Sequence, residues 1–143
     1  MPHPGFVRVE FDCPEELRRE VDLALQEILA GNSARLRSLE RDVTAIETRA
    51  MRALDRIVAA IDAHDSGQTR RLVRFLAGVY NSQTFPFELD ELRGLDDDLA
   101  AACLDYLNYD RLGRREVHHH LPGGDRQLHG WIKRYGFWPA DWG

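Results

Sequence analysis

Residues 34–64 read ARLRSLERDVTAIETRAMRALDRIVAAIDAH. Leu36, Leu39, Val43, Ile46, Ala50, Ala53 and Ile57 follow one another at spacings of three and four. That repeat lays one apolar stripe along a helix and, sustained over three turns of the pattern, forms a heptad seam. Leu36, Val43, Ala50 and Ile57 fall at a, and Leu39, Ile46 and Ala53 at d. No glycine or proline interrupts the run, so the spacing predicts a single helix roughly 46 Å long. One such helix cannot cover its own seam. The expected cover is a shorter helix folded back as a hairpin, a second copy of the chain, or both, and a homodimer through Leu36, Leu39, Val43, Ile46, Ala50, Ala53 and Ile57 is predicted. Leu54 and Ile61 widen the stripe near its end, so further helices are expected to meet there.

Upstream, Ser33 is placed to cap this helix and Gly31-Asn32 to end the one before it. Leu17, Val21, Ala24, Leu25 and Ile28 give that earlier helix an apolar face, and Asp12, Pro14 and Glu15 mark its start. Val7, Val9 and Phe11 alternate with Arg8 and Glu10, the period of a strand. No second strand is evident, so residues 1–13 are expected to form a short N-terminal extended segment.

Downstream, Asp65 and Gln68 are spaced as a capping box for a helix whose face is Leu72, Phe75, Leu76, Val79 and Tyr80. Arg70, Arg71 and Arg74 lie off that face. Leu89 to Arg93 fits a short helical turn closed by Gly94. Asp96, Asp97 and Asp98 crowd the start of another helix, where the macrodipole favours negative charge. Leu99, Cys103, Tyr106 and Leu107 form its core face, and Gly113 ends it. Residues 114–124 read as irregular. Asp125 is placed to cap a last helix through Trp131, Ile132 and Tyr135, with Gly136 as its stop. Trp138 and Trp142, in the tail 137–143, are expected to fold back onto the core. The predicted class is therefore all-α: an extended arm over 1–13, a helical hairpin or coiled-coil arm over 14–64, a small helical domain over 65–136, and an aromatic tail.

Composition narrows the function. Of 143 residues, 43% are hydrophobic and 30% charged, an ordinary globular balance. The longest apolar run, Leu99 to Leu104, is far too short to span a bilayer, and no membrane partner is expected. The N-terminus lacks an apolar signal region, and Cys13 and Cys103 form no CxxC pair. Both observations fit a cytoplasmic protein with reduced thiols. A net charge of −5 argues against coating of nucleic acid by the whole surface. Charge is segregated: residues 87–112 hold eight acids and two arginines, and residues 66–86 hold three arginines and no acid. These neighbours are expected to face each other in part.

The stretch His64-Asp65-Ser66-Gly67-Gln68-Thr69-Arg70-Arg71-Leu72-Val73-Arg74-Phe75-Leu76, with Asn81 and then Phe87-Glu88-Leu89-Asp90-Glu91-Leu92-Arg93-Gly94-Leu95-Asp96, resembles a family of small uncharacterised proteins encoded on proteobacterial plasmids and integrative elements. The resemblance spans roughly residues 52–110. It carries no catalytic residue and no cofactor. It implies an accessory gene of a mobile element, a class that serves maintenance, transfer or defence against host immunity, the last including small acidic proteins that block a host nuclease complex.

Four constellations carry candidate chemistry. Asp90, Glu91, Asp96, Asp97 and Asp98 suit contact with a basic protein partner, since charge complementarity steers such encounters. Arg49, Arg52, Arg56, Arg70, Arg71 and Arg74 suit phosphate contact and give the alternative of a nucleic-acid-binding accessory protein, although Glu47, Asp55 and Asp62 among them can pair at helical spacing. His118, His119 and His120, with His129, His64 and Cys103, are weak metal candidates that would make a metal-dependent enzyme. Adjacent histidines seldom converge, so His118 and His120 are the pair that would ligate. Asp65-Ser66-Gly67 matches the setting of a protease nucleophile, but helical surroundings favour capping. The leading expectation is a non-enzymatic interaction factor of a mobile element, an inhibitor of a host defence complex, with no cofactor.

Overall fold

The structure, a computed structural model, describes residues 5–31, 33–63 and 66–143. The chain is all-α: among the described residues there are five α-helices and four 3₁₀ turns, and no strand. It divides into two compact units, residues 1–42 and 43–143, with the division inside the second helix.

In the first unit, residues 6–14 carry neither helix nor strand, so the alternation at Val7, Val9 and Phe11 forms no strand among the described residues. A 3₁₀ turn at Glu15–Leu17 leads into α1 (Arg18–Leu29). Pro14 stands just before the turn, where its missing N–H is no loss, and its carbonyl accepts from Leu17 N at 3.0 Å. Asp12 makes no cap; the helix start is held by the Pro14 carbonyl instead. Gly31 has φ of 70°, and its N–H bonds back to Ile28 O at 3.1 Å, a glycine stop for α1. Asn32 lies outside the described residues. Ser33 caps α2 (Ala34–Ala63) as expected, its Oγ accepting from Leu36 N at 3.3 Å. No residue of α1 is buried.

The second unit holds the core. The far half of α2 contributes Ala50, Ala53, Leu54, Ile57 and Ile61, all buried. α3 (Gly67–Tyr80) is the centre. It packs against α4 (Asp97–Asp110), α5 (Gly124–Arg134) and the 3₁₀ turns Leu89–Gly94 and Val117–His120. Leu72, Val73, Phe75, Leu76 and Ala77 are sealed from solvent as a result. Gly78 lets the loop beyond pass close to the helix: a Cβ there would stand 3.1 Å from both Phe85 O and Phe87 Cβ. A fourth 3₁₀ turn, Ala140–Trp142, ends the chain. Trp138 packs on the core, Trp142 stacks edge-on against Trp138 and Phe85, and the tail folds back as predicted.

Three expectations need correction. Ala50, Ala53 and Ile57 are covered within one chain, because the same spacing also places them in the core cluster that holds the buried side chains of α3, α4 and α5. This half of the seam needs no second copy, while Leu36 and Leu39 stay exposed and Val43 and Ile46 are half-buried. Second, Ser66 is the N-cap of α3, its Oγ accepting from Thr69 N at 3.3 Å. Asp65 and His64 lie outside the described residues, and the Gln68 amide exchanges hydrogen bonds with Asp96. Third, α5 begins at Gly123 and Gly124, so Asp125 sits in the first turn without capping. Gln127 reaches back to Gly123 N at 3.0 Å and fills that role.

Because Ile57 is sealed inside one chain, Ile57→Ala should cost about 2–5 kcal/mol of unfolding free energy, measured by urea denaturation. The loss should not vary with protein concentration. A loss that disappears on dilution would show that a second copy completes this part of the core.

Candidate functional site

Charge and aromatic rings converge on the rim of α3. Arg70 and Arg74, one turn apart, share a helix face, and Arg71 lies a third of a turn away. Glu91, from the 3₁₀ turn Leu89–Gly94, bridges two of them: its Oε2 accepts from Arg71 Nη1 at 2.7 Å and its Oε1 from Arg74 Nη1 at 3.0 Å. Arg71 also donates to the Glu91 carbonyl at 3.4 Å. It lies so close to Gly94 that a Cβ there would fall 2.3 Å from the guanidinium carbon. The glycine in the turn is what allows the arginine to lie flat across it.

The third anchor comes from the end of α5. Gly136, with φ of 76°, reverses the chain. Its N–H bonds to Lys133 O at 3.0 Å, and the next N–H, of Phe137, bonds to Ile132 O at 3.0 Å. This is a Schellman closure. It leaves Tyr135 O to accept from Arg70 Nη1 at 3.1 Å. It also swings the Phe137 ring beneath both guanidiniums, 4.6 Å from Arg70 and 4.7 Å from Arg74. The same tail sets Lys133 over Trp138 at 4.7 Å. Planar guanidiniums held by carboxylate, carbonyl and ring are fixed in place before any ligand arrives.

The acidic run is largely committed inside the chain. Glu91 is taken by Arg71 and Arg74, and Asp98 by Arg56, whose hydrogen bond holds the Asp98 carboxyl below its ordinary value. Asp96 exchanges hydrogen bonds with Gln68, its N–H at 2.7 Å and its Oδ2 at 3.0 Å. Asp90 and Asp97 are exposed and form no ion pair among the described residues. The predicted facing of the acidic and basic stretches is thus seen at Glu91. The six arginines do not act as one group: Arg70, Arg71 and Arg74 come together, Arg56 pairs with α4, and Arg49 and Arg52 stand exposed on α2.

The histidines pack against tyrosines. Among the described residues no group of three or more His, Cys, Asp or Glu is arranged to hold a metal ion. His129 Nε2 meets Tyr80 OH at 3.1 Å, and His120 Nε2 meets Tyr109 OH at 3.3 Å. His118 stacks edge-on against Tyr80 and lies 3.6 Å from Asp125. His118 and His129 therefore both meet Tyr80, while His120 meets Tyr109. Burial is the main cause that lowers the His120 pKa, with Arg115 adding to it. Burial also pushes the Cys103 thiol up to about 12, which leaves it inert, while Cys13 is exposed. Tyr106 OH, His118 Nδ1 and Trp138 Nε1 are buried with no hydrogen-bond partner among the described residues.

Phe137 and Tyr135 were not singled out by the sequence as members of a site. The signal was present in Gly136, a left-handed stop that fixes where the next ring goes. Ser66, the middle residue of the Asp65-Ser66-Gly67 run considered as a nucleophile setting, caps α3.

A compact all-α domain centred on a single buried helix, with an arginine rim braced by one glutamate and one phenylalanine, is the class of protein these features define. Residues 51–136 match a family of unknown function, DUF7673, and the chain belongs to it. The matched span takes in the end of α2 and all of α3, α4 and α5. No curated protein and no solved structure matches the chain. Among the described residues no helix is long and apolar enough to cross a membrane.

His120 faces Tyr109, His119, Arg115 and Glu47. Its folded pKa lies below its unfolded value, so its neutral form supports the fold above the unfolded pKa of about 6.5, and that support is lost as pH falls through the folded pKa. Urea midpoints taken from pH 7.5 down to pH 5 should therefore decline, and His120→Gln should decline less. An identical slope in the two proteins would contradict this.

Proposed function

We propose that this chain is a non-enzymatic protein-interaction factor that first associates with a second copy of itself. One observation carries the proposal. In the first unit Leu17, Leu23, Leu25, Ile28 and Leu29, and Leu36 and Leu39 on α2, are all exposed. Isolated helices as short as α1 are marginal in water, and most helices owe their stability to a packed apolar face. An uncovered leucine row of this kind marks an association surface. Leu36 and Leu39 keep the a and d spacing of a coiled coil, which a second copy of the same helix complements residue for residue.

The family-matched domain supplies its own core, so the association surface can act without disturbing it. Asp90 and Asp97 add exposed negative charge suited to a basic partner. With the resemblance across residues 64–96, this supports a cytoplasmic accessory protein of a mobile genetic element that occupies a host defence complex. The histidines' engagement with Tyr80 and Tyr109 supports a packing role over a catalytic one.

Light scattering coupled to size exclusion should give twice the chain mass at tens of micromolar. The double substitution Leu36→Glu with Leu39→Glu should give the single-chain mass with an unchanged unfolding midpoint of the core. A wild-type protein that is monomeric at these concentrations, or a double variant that stays dimeric, would contradict self-association through this row.

A further inference from the structure

Three guanidiniums, those of Arg70, Arg71 and Arg74, line a cleft of about 190 Å³ beside Gly67, and among the described residues the carboxylate that joins them there is Glu91. Among the described residues of that lining, three positive charges face one negative charge, so two are left without a counter-charge. We infer that this cleft binds a phosphate dianion, the terminal group of a phosphomonoester or of pyrophosphate. The inference is independent of self-association, since every group it uses lies in the second unit.

Charge selects the ligand class. A carboxylate ligand would neutralise one of the two positive charges, and a dianion neutralises both. The guanidinium fork matches the tetrahedral oxygens of a phosphate in bidentate fashion, where an ammonium would offer a point charge alone. The lining is also pre-organised. Arg70 is held by Tyr135 O and Phe137, Arg74 by Phe137 and Glu91, and Arg71 by Glu91 against Gly94. Side chains already ordered in the unliganded protein lose little entropy on binding.

Each arginine also keeps capacity to bind. Five N–H donors are available on a guanidinium, and the anchors named above use only one or two of them per arginine. The side chains of Arg71 and Arg74 are about a third exposed, at 37% and 33%, whereas that of Glu91 is 17% exposed. Arg71 and Arg74 are therefore more open to solvent than the carboxylate that joins them. Gly67, the first residue of α3, lines the same cleft, and among the described residues nothing stands within 4 Å of where its Cβ would be. The positive end of the helix dipole adds to the field at that point. On the other side of Arg74, Glu88 lines a separate cleft together with Phe137.

The test uses the full chain, with inorganic phosphate and pyrophosphate as probes at pH 7.5 and sodium chloride matched for ionic strength. Pyrophosphate should raise the unfolding midpoint saturably, as a ligand specific for the folded state does. It should also shift the Nε–H resonances of Arg70, Arg71 and Arg74 and leave those of Arg93 and Arg126 in place. Arg70→Gln and Arg74→Gln should each weaken binding roughly tenfold or more, the effect of losing a charge-assisted hydrogen bond. Arg70→Lys, which keeps charge without the fork, should fall between. No saturable response at millimolar pyrophosphate would overturn the assignment, as would an equal response in the two glutamine variants. A response to a short single-stranded oligonucleotide with none to pyrophosphate would also overturn it, in favour of a polynucleotide groove.

Discussion

Enclosure of α3 is the constraint on which the second unit rests. A helix packed on one side needs one apolar stripe, but α3 meets α4, α5 and two 3₁₀ turns. Leu72, Val73, Phe75, Leu76 and Ala77 fill an arc of roughly 200° around its axis, counted at 3.6 residues per turn. The remaining face carries Arg70, Arg71 and Arg74. Long cationic side chains can lay their stems on apolar neighbours and carry their charge to the edge, so arginine is tolerated at the border of so closed a core. The same enclosure fixes the ends of surrounding elements. The Leu89–Gly94 turn presents Glu91, and the Schellman closure of α5 presents Tyr135 O and Phe137.

The two units differ in kind. Residues 43–143 bury a continuous set of apolar side chains from the end of α2 to Ile132. In residues 1–42 the helices carry leucines that stay exposed. Association through these leucines and anion binding at the α3 rim need not influence each other, because they draw on separate residues. The family match, which begins at residue 51, coincides closely with the self-sufficient core. The N-terminal helices stand outside that match, and they are the part of the chain where an association role is proposed.

Much of this architecture was legible because it depends on short-range physics. Gly31, Gly113 and Gly136 stop helices where stops were expected, each with a positive φ, and Ser33 caps α2. The face of α3 follows its 3.6-residue period through Leu72, Phe75 and Leu76. What escaped was set by contacts between distant residues. A heptad seam does not reveal whether its cover comes from the same chain, and so Ala50, Ala53 and Ile57 were assigned to a dimer when α3 and its neighbours enclose them. Two capping groups one residue apart, Asp65 and Ser66, present the same local pattern. The arginine rim was visible as a charge run, but Glu91 lies seventeen residues beyond Arg74 and Phe137 sixty-three residues beyond it. No local rule joins them. The histidine run attracted a metal reading through its composition alone, and the fold sets His118 and His129 against Tyr80 and His120 against Tyr109.

Native-state hydrogen exchange, resolved by residue, tests the central role of α3 most directly. Amides in the most deeply buried part of a core open only when the whole unit unfolds. The amides of Leu72 through Ala77 should therefore be the slowest in residues 43–143. Their opening free energy should equal the global unfolding free energy from denaturant titration. Exchange at these amides as fast as in the 3₁₀ turn Leu89–Gly94, or an opening free energy well below the global value, would contradict an α3-centred core.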